Sequence, residues 1–175
     1  MVVWIIGLSG TGKSTLAGEV VGRLRVLGSK VVFLDGDVIR TLFGNDVDHS
    51  LEGRLRNAER LSKLSRFLGE QGVHVVAAIL SIFPEWRRWN RENIRDYAEV
   101  YLRAEMKTLL KRDIKNLYQR ALNGEISNVV GVDLPFPEPL NPELVIDNDV
   151  ELQDFNALVE KVMNLGVVRK AFAAS

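Results

Sequence analysis

Gly7-Leu8-Ser9-Gly10-Thr11-Gly12-Lys13-Ser14 is the stretch that decides the fold. An apolar run, Val2-Val3-Trp4-Ile5-Ile6, leads into it, and an amphipathic segment reaching Leu27 leads out. The octapeptide fits G-x-x-x-x-G-K-[ST] in the setting that pattern requires, between a strand and a helix. Glycines serve there because the backbone must wrap until successive N–H groups face phosphate oxygens, with the positive end of the next helix behind them. Lys13 can then reach β- and γ-phosphates, and the Ser14 hydroxyl can hold Mg²⁺. The bland alternative, a glycine turn with an incidental lysine, does not account for the flanking strand and helix.

Outward from this loop, short β-branched runs alternate with longer amphipathic segments, the pattern of strand-helix-strand units on a parallel sheet. The fold class is α/β, a mostly parallel central sheet with helices on both faces. Strands are expected at Val2–Ile6, Val31–Leu34, Val73–Leu80, Glu99–Leu102 and Leu144–Ile146. Helices are expected at Lys13–Leu27, Leu51–Gln71, Pro84–Arg95, in two short pieces across Met106–Leu122, and at Leu152–Met163. No repeat or linker divides the chain, so residues 1–175 read as a single domain. Pro135–Pro142 is the one long irregular stretch and a candidate binding loop. Val167–Ser175 carries no motif.

Composition narrows the partner. The 175 residues hold 23 Lys plus Arg against 23 Asp plus Glu. A zero formal charge gives no field for nucleic acid or an acidic membrane, so a small molecule is the expected partner. There is no cysteine, which excludes disulfides and thiolate chemistry and suits a reducing cytoplasm. Val2–Ile6 lacks a basic leader and ends too soon for a signal peptide, and Val73–Leu80 is too short to span a bilayer.

The second strand ends in Leu34-Asp35-Gly36-Asp37. In a parallel sheet both acids emerge on the edge that carries the glycine loop. Asp35 is the candidate general base for an attacking hydroxyl, while Asp37 can orient a metal-bound water or the first acid. Asp37 is equally suited to cap the following helix. Arg40, Arg54, Arg56, Asn57 and Arg60 follow at helical spacings, and guanidinium forks suit phosphate or sulfate. Trp86, Arg87, Arg88, Trp89 and Arg91 form a basic aromatic cluster, read as a partly exposed helix face or a subunit contact. His74 reads as structural.

Taken together, these residues resemble the adenylylsulfate kinase family, which phosphorylates the ribose 3′-hydroxyl of adenosine 5′-phosphosulfate. Gly7–Ser14, continuing into Thr15, is similar to the family's G-L-S-G-x-G-K-S-T, and Leu34–Arg40 to its L-D-G-D-x-x-R. Arg54 and Asn57 keep the spacing of its R-x-x-N. Lys111–Tyr118 resembles its K-R-D-x-K-G-L-Y lid, and Gly131-Val132-Asp133 its G-I-D loop. The resemblance implies an ATP-binding set of Gly7, Ser9, Gly10, Thr11, Gly12, Lys13, Ser14, Thr15 and Arg112. Asp35 and Lys13 would be catalytic, with Mg²⁺ on Ser14. Asp37, Arg40, Arg54, Asn57, Lys115 and Val132 would hold the acceptor.

The sequence departs from the family where two phenylalanines sandwich adenine, since His49 and Val129 align there. Serine is also displaced in Ser81-Ile82-Phe83-Pro84, where Phe83 is a candidate substitute aromatic surface, with core burial the leading expectation for an aromatic after a strand. Two acceptors therefore remain open: adenosine 5′-phosphosulfate, and cytidine diphosphoramidate, which a related kinase of polysaccharide modification uses. A nucleotide-dependent switch is the rival of another class, disfavoured because a switch needs no second anion pocket. The expected cofactors are ATP and Mg²⁺, and a homodimer is an allowed assembly.

Overall fold

The computed structural model describes residues 1–113, 116–149 and 155–173. Its centre is a five-stranded parallel sheet in the order β2-β3-β1-β4-β5. The strands are β1 (Val2–Ile6), β2 (Val31–Asp35), β3 (His74–Ile79), β4 (Tyr97–Arg103) and β5 (Leu144–Asp147). All five expected strands are present, with ends shifted by up to two residues. β1 is buried at every position, which explains its unbroken apolar run, because helices cover both faces of a parallel sheet.

Alternation along β1 sorts its side chains between two cores. Val3 and Ile5 join Leu16, Val20 and Leu24 of α1 (Lys13–Val26) and Leu158, Val159 and Val162 of α7 (Asn156–Met163). Val2, Trp4 and Ile6 join Leu61 of α3 (Leu51–Glu70) and Ile39 of α2 (Gly36–Leu42) on the other face. The remaining helices are α4 (Pro84–Asn93), α5 (Met106–Lys111), α6 (Leu117–Leu122) and α8 (Gly166–Ala173). The expected helix start at Leu152 lies outside the described residues.

Two helices go beyond the sequence reading. α2 is only seven residues long, too short for a periodic pattern, and α8 lies in the tail that carried no motif. The cap of α2 also differs from expectation. Asp35, not Asp37, is its N-cap, accepting the Asp37 and Val38 N–H groups. Asp37 sits in the first turn instead, where a carboxylate complements the helix dipole.

The chain passes from β1 outward to β2, returns to β3 beside β1, then crosses to β4 on the other side. That reversal at β1 opens a crevice beyond the carboxyl ends of the strands, the ligand position in open α/β sheets. The loop Gly7–Gly12, the Asp35 turn, Leu80–Phe83 and Asn148 all lie at this edge.

The basic aromatic helix α4 has two distinct faces. Arg87 and Asn90 are buried, while Trp86 and Trp89 pack edge to face at 5.5 Å on the half-exposed side. Arg87 donates to the carbonyls of Ser81 at 2.7 Å and Glu138 at 3.3 Å. Arg91 binds the Asn141 carbonyl and the Glu143 carboxylate, at 2.7 and 2.6 Å. These arginines strap the irregular Pro135–Pro142 segment to the sheet. No residue of that segment lines the cleft described below.

Among the described residues, no helix is long and apolar enough to cross a membrane.

Candidate active site

A cleft of about 530 Å³ opens at the carboxyl edge of the sheet, a volume within the range of small-molecule sites. One end is the glycine loop, represented by Ser9, Lys13 and Ser14. The loop's shape follows from its glycines. Gly12 has φ 91°, a left-handed conformation in which a side chain would be strained. Gly7 lies so close to β4 that a Cβ would run into the Leu102 carbonyl.

Asp35 projects from the end of β2 into the same cleft. Its Oδ2 accepts the Ser14 hydroxyl at 2.7 Å, and its Oδ1 accepts the Asp37 amide at 2.9 Å. The carboxylate is thus fixed from two sides, beside the hydroxyl expected to meet a metal. Asp37 lines the cleft and is exposed.

Arg40, Arg54 and Asn57 form the opposite wall. Arg40 is 8% exposed and donates to the Val47 and Asp48 carbonyls at 3.0 and 2.7 Å. Arg54 bridges two walls, with Nε on the His49 carbonyl at 2.8 Å and Nη2 on the Asn128 carbonyl at 2.9 Å. Both guanidiniums spend these hydrogen bonds on neutral carbonyls, so their charge stays available to an anion. Asn57 donates to the Gly36 carbonyl at 3.2 Å, which ties α3 to the Asp35 turn. Arg56 and Arg60 point elsewhere, pairing with Glu52 and Asp46.

His49 and Val129 both line the cleft, with Phe83 and Ile82 on its floor. Burial, followed by the nearby charges of Arg40 and Arg54, lowers the His49 pKa, which favours a neutral imidazole. Phe83 is half-buried and lines the cleft, the place of the substitute aromatic surface and not the core burial that is the leading expectation. Ser81 beside it holds φ 53°, an uncommon conformation for a non-glycine residue. The Arg87 bond to its carbonyl steadies that turn.

The remaining expected residues lie as follows. Thr15 is exposed on α1. Val132 is partly buried against the cluster of Ala104, Leu109, Tyr118 and Val129, and it is Val129 and Val130 that reach the cleft. Arg112 donates to the Asn148 carbonyl at 2.8 Å. Lys115 lies outside the described residues. Gly10 and Thr11 are in the loop as expected, with Thr11 Oγ1 donating to the Leu8 carbonyl at 2.9 Å.

Sequence reasoning missed three contributors. Tyr118 donates to the Ser9 carbonyl and Asn148 to the Thr11 carbonyl, each at 2.8 Å. Asp113 caps α6 by accepting the Leu117, Tyr118 and Gln119 amides. Asp113 and Tyr118 both stand in the Lys111–Tyr118 stretch that resembles the family's lid, but of these bonds only the Asp113 cap left a local signal, an acid shortly before a helix.

Comparison with known proteins agrees with this geometry. The family model described as adenylylsulphate kinase matches residues 1–147. A cytidine diphosphoramidate kinase of Campylobacter jejuni is 37% identical over 161 residues, covering 92% of this chain and 91% of its own. An adenylyl-sulfate kinase of a Picosynechococcus species is 38% identical over 161 residues, covering 92% and 90%. Among solved structures, the Mycobacterium tuberculosis APS kinase CysC in complex with AMPPNP and APS superposes with a TM-score of 0.85. It is 32% identical, covering 94% of this chain and 95% of that one. Over this length and at this identity, the phosphate-binding loop, the parallel sheet and the arginine-lined cleft share one origin with those of its relatives: the chain belongs to the adenylylsulfate kinase family.

Proposed function

We propose that the protein transfers the γ-phosphoryl group of ATP to the ribose 3′-hydroxyl of adenosine 5′-phosphosulfate. The observation that carries this reading is one cleft that joins the glycine loop, Asp35 and two guanidiniums hydrogen-bonded to carbonyls. A nucleotide switch has no use for that second, cationic wall.

In this mechanism the triphosphate lies along Gly7–Ser14, with Lys13 neutralising charge that develops on the γ-phosphate. Ser14 Oγ, at the end of the cradle, is a hard oxygen donor, which fits Mg²⁺. The ion, when bound, neutralises phosphate charge. Arg40, Arg54 and Asn57 hold the acceptor's anionic group. The ribose oxygen then bonds to the γ-phosphorus as the bond to ADP breaks, and its proton passes to Asp35. Positioning and fixed charges supply most of the acceleration.

Cytidine diphosphoramidate is the second acceptor to consider. The Campylobacter jejuni relative supports it, as do His49 and Val129 in the cleft wall, which offer no aromatic sandwich for adenine. Purified protein given MgATP and either nucleotide, with products weighed by mass spectrometry, decides between them. The adenylyl reading predicts a 3′-phosphorylated adenylyl product. Turnover confined to the cytidine compound would replace it, and ATP hydrolysis indifferent to both would sink the kinase reading.

A further inference from the structure

A loop that turns its N–H groups toward phosphate turns its carbonyls away, and each carbonyl then needs a donor. Two of these carbonyls are served locally. Leu8 O accepts Thr11 Oγ1 at 2.9 Å and Lys13 Nζ at 3.2 Å, and Gly12 O accepts the Leu16 amide at 3.0 Å. The donors to the other two come from far along the chain. Ser9 O accepts Tyr118 Oη across 109 residues, and Thr11 O accepts Asn148 Nδ2 across 137.

Both remote donors are rigidly held. Tyr118 is 1% exposed, on a helix whose first amides are gathered by the Asp113 carboxylate. Burial, then the Asp113 charge, push its phenol up to about 12, so it remains a donor throughout the working pH range. Asn148 is 2% exposed. Its amide N–H goes to Arg103 O at 2.7 Å and its carbonyl receives Arg112 at 2.8 Å. Its Oδ1 has no hydrogen-bond partner among the described residues. A buried acceptor left unmade carries a penalty, so the Thr11 carbonyl is what fixes the direction of this side chain.

We propose that Tyr118 and Asn148 are positioning residues that aim the phosphate cradle, by anchoring the Ser9 and Thr11 carbonyls from opposite sides of the loop. Neither touches the reacting atoms. They act through the peptide groups of Ser9–Gly10 and Thr11–Gly12, whose amides face the triphosphate only while the carbonyls stay tethered. The inference rests on reading Gly7–Ser14 as the triphosphate site and is independent of the acceptor's identity.

The test uses the full chain with Tyr118→Phe, which removes one hydroxyl, and Asn148→Leu, which keeps side-chain size and removes the donor. MgATP and inorganic tripolyphosphate are titrated calorimetrically, and the acceptor KM and melting midpoint are recorded alongside. Each variant is expected to weaken both phosphate ligands about three- to tenfold, the scale of one hydrogen bond, with acceptor KM little changed. Each also leaves a loop carbonyl, Ser9 O or Thr11 O, without its donor, so a modest fall in melting midpoint is expected beside the loss of affinity.

Unchanged tripolyphosphate affinity in both variants would overturn the proposal, as would losses matched by an equal rise in acceptor KM. Should Tyr118→Phe fail to fold, Asn148→Leu decides alone. Wild-type protein that binds tripolyphosphate yet phosphorylates neither nucleotide would remove the proposed acceptors, and the variant affinities would still decide this inference. Wild-type protein that binds no triphosphate would overturn both.

Discussion

The Ser14 hydroxyl donates to Asp35 Oδ2 at 2.7 Å, joining the end of the phosphate loop to the end of β2, which β3 separates from β1 in the sheet. The same carboxylate caps α2 through Oδ1. One side chain therefore has two separable jobs, holding a helix start and facing the reaction.

That separation yields the first prediction. Asp35→Asn keeps an oxygen for the cap but cannot take a proton. Turnover should fall about 100-fold or more, the usual range for a lost general base, with MgATP affinity largely retained. Asp35→Ala should lose turnover equally and about 1 kcal/mol of stability besides. Steady-state kinetics beside urea denaturation checks both, and near-normal turnover in Asp35→Asn would refute the base assignment.

Arg54 spans the cleft between the His49 and Asn128 carbonyls, so its guanidinium faces the acceptor side. Arg54→Ala should raise acceptor KM about tenfold or more, the scale of a hydrogen bond to a charged group, and leave the KM for MgATP within about twofold. Initial-rate measurements varying each substrate in turn test this. A loss confined to MgATP would put Arg54 on the wrong side of the reaction.

Arg87 is 5% exposed and supports the Ser81 carbonyl beneath the cleft. Arg87→Ala strands the buried Ser81 carbonyl and removes the weaker bond to the Glu138 carbonyl, and should cost about 2 kcal/mol. Arg87→Lys, which presents one compact donor group instead of a fork, should recover part of that. Chemical denaturation of both variants is the measurement, and equal stability of all three proteins would show the strap to be idle.

His74 and His49 set an acid limit. Burial first, then the Met1 amine, lowers the His74 pKa from 6.5, and burial, then Arg40 and Arg54, lowers that of His49 from the same value. Both are therefore harder to protonate in the folded chain than in the unfolded one. Their share of stability is complete above about pH 6.5 and is lost as pH falls through the depressed folded values. Melting midpoints followed from pH 7.5 down to about 5 should decline, and the decline should be shallower in His74→Asn. An identical slope in that variant would remove His74 as a cause.

The sequence alone determined the sheet and its phosphate loop. Val2–Ile6 is apolar at every position because a central parallel strand is covered on both faces, and Gly12 is glycine because its φ of 91° excludes a side chain. Such constraints act within a few residues, so they are written locally. The acids of Asp35-Gly36-Asp37 were legible for the same reason, since the end of a parallel strand fixes which edge they occupy. Even there, which of the two caps α2 depended on backbone geometry.

Tertiary structure alone decided what each long side chain reaches. Arg87 looks like basic surface in sequence, yet it is buried and donates to the Ser81 and Glu138 carbonyls, while the exposed Arg91 reaches the Asn141 carbonyl and the Glu143 carboxylate. Phe83 follows a buried strand but faces the cleft, because Ser81 takes a left-handed turn. Tyr118 and Asn148 meet the phosphate loop only after more than a hundred residues of chain have packed around it. A hydrogen bond across that separation leaves no periodicity, because its geometry comes from the packing of whole elements and not from the order of neighbouring residues.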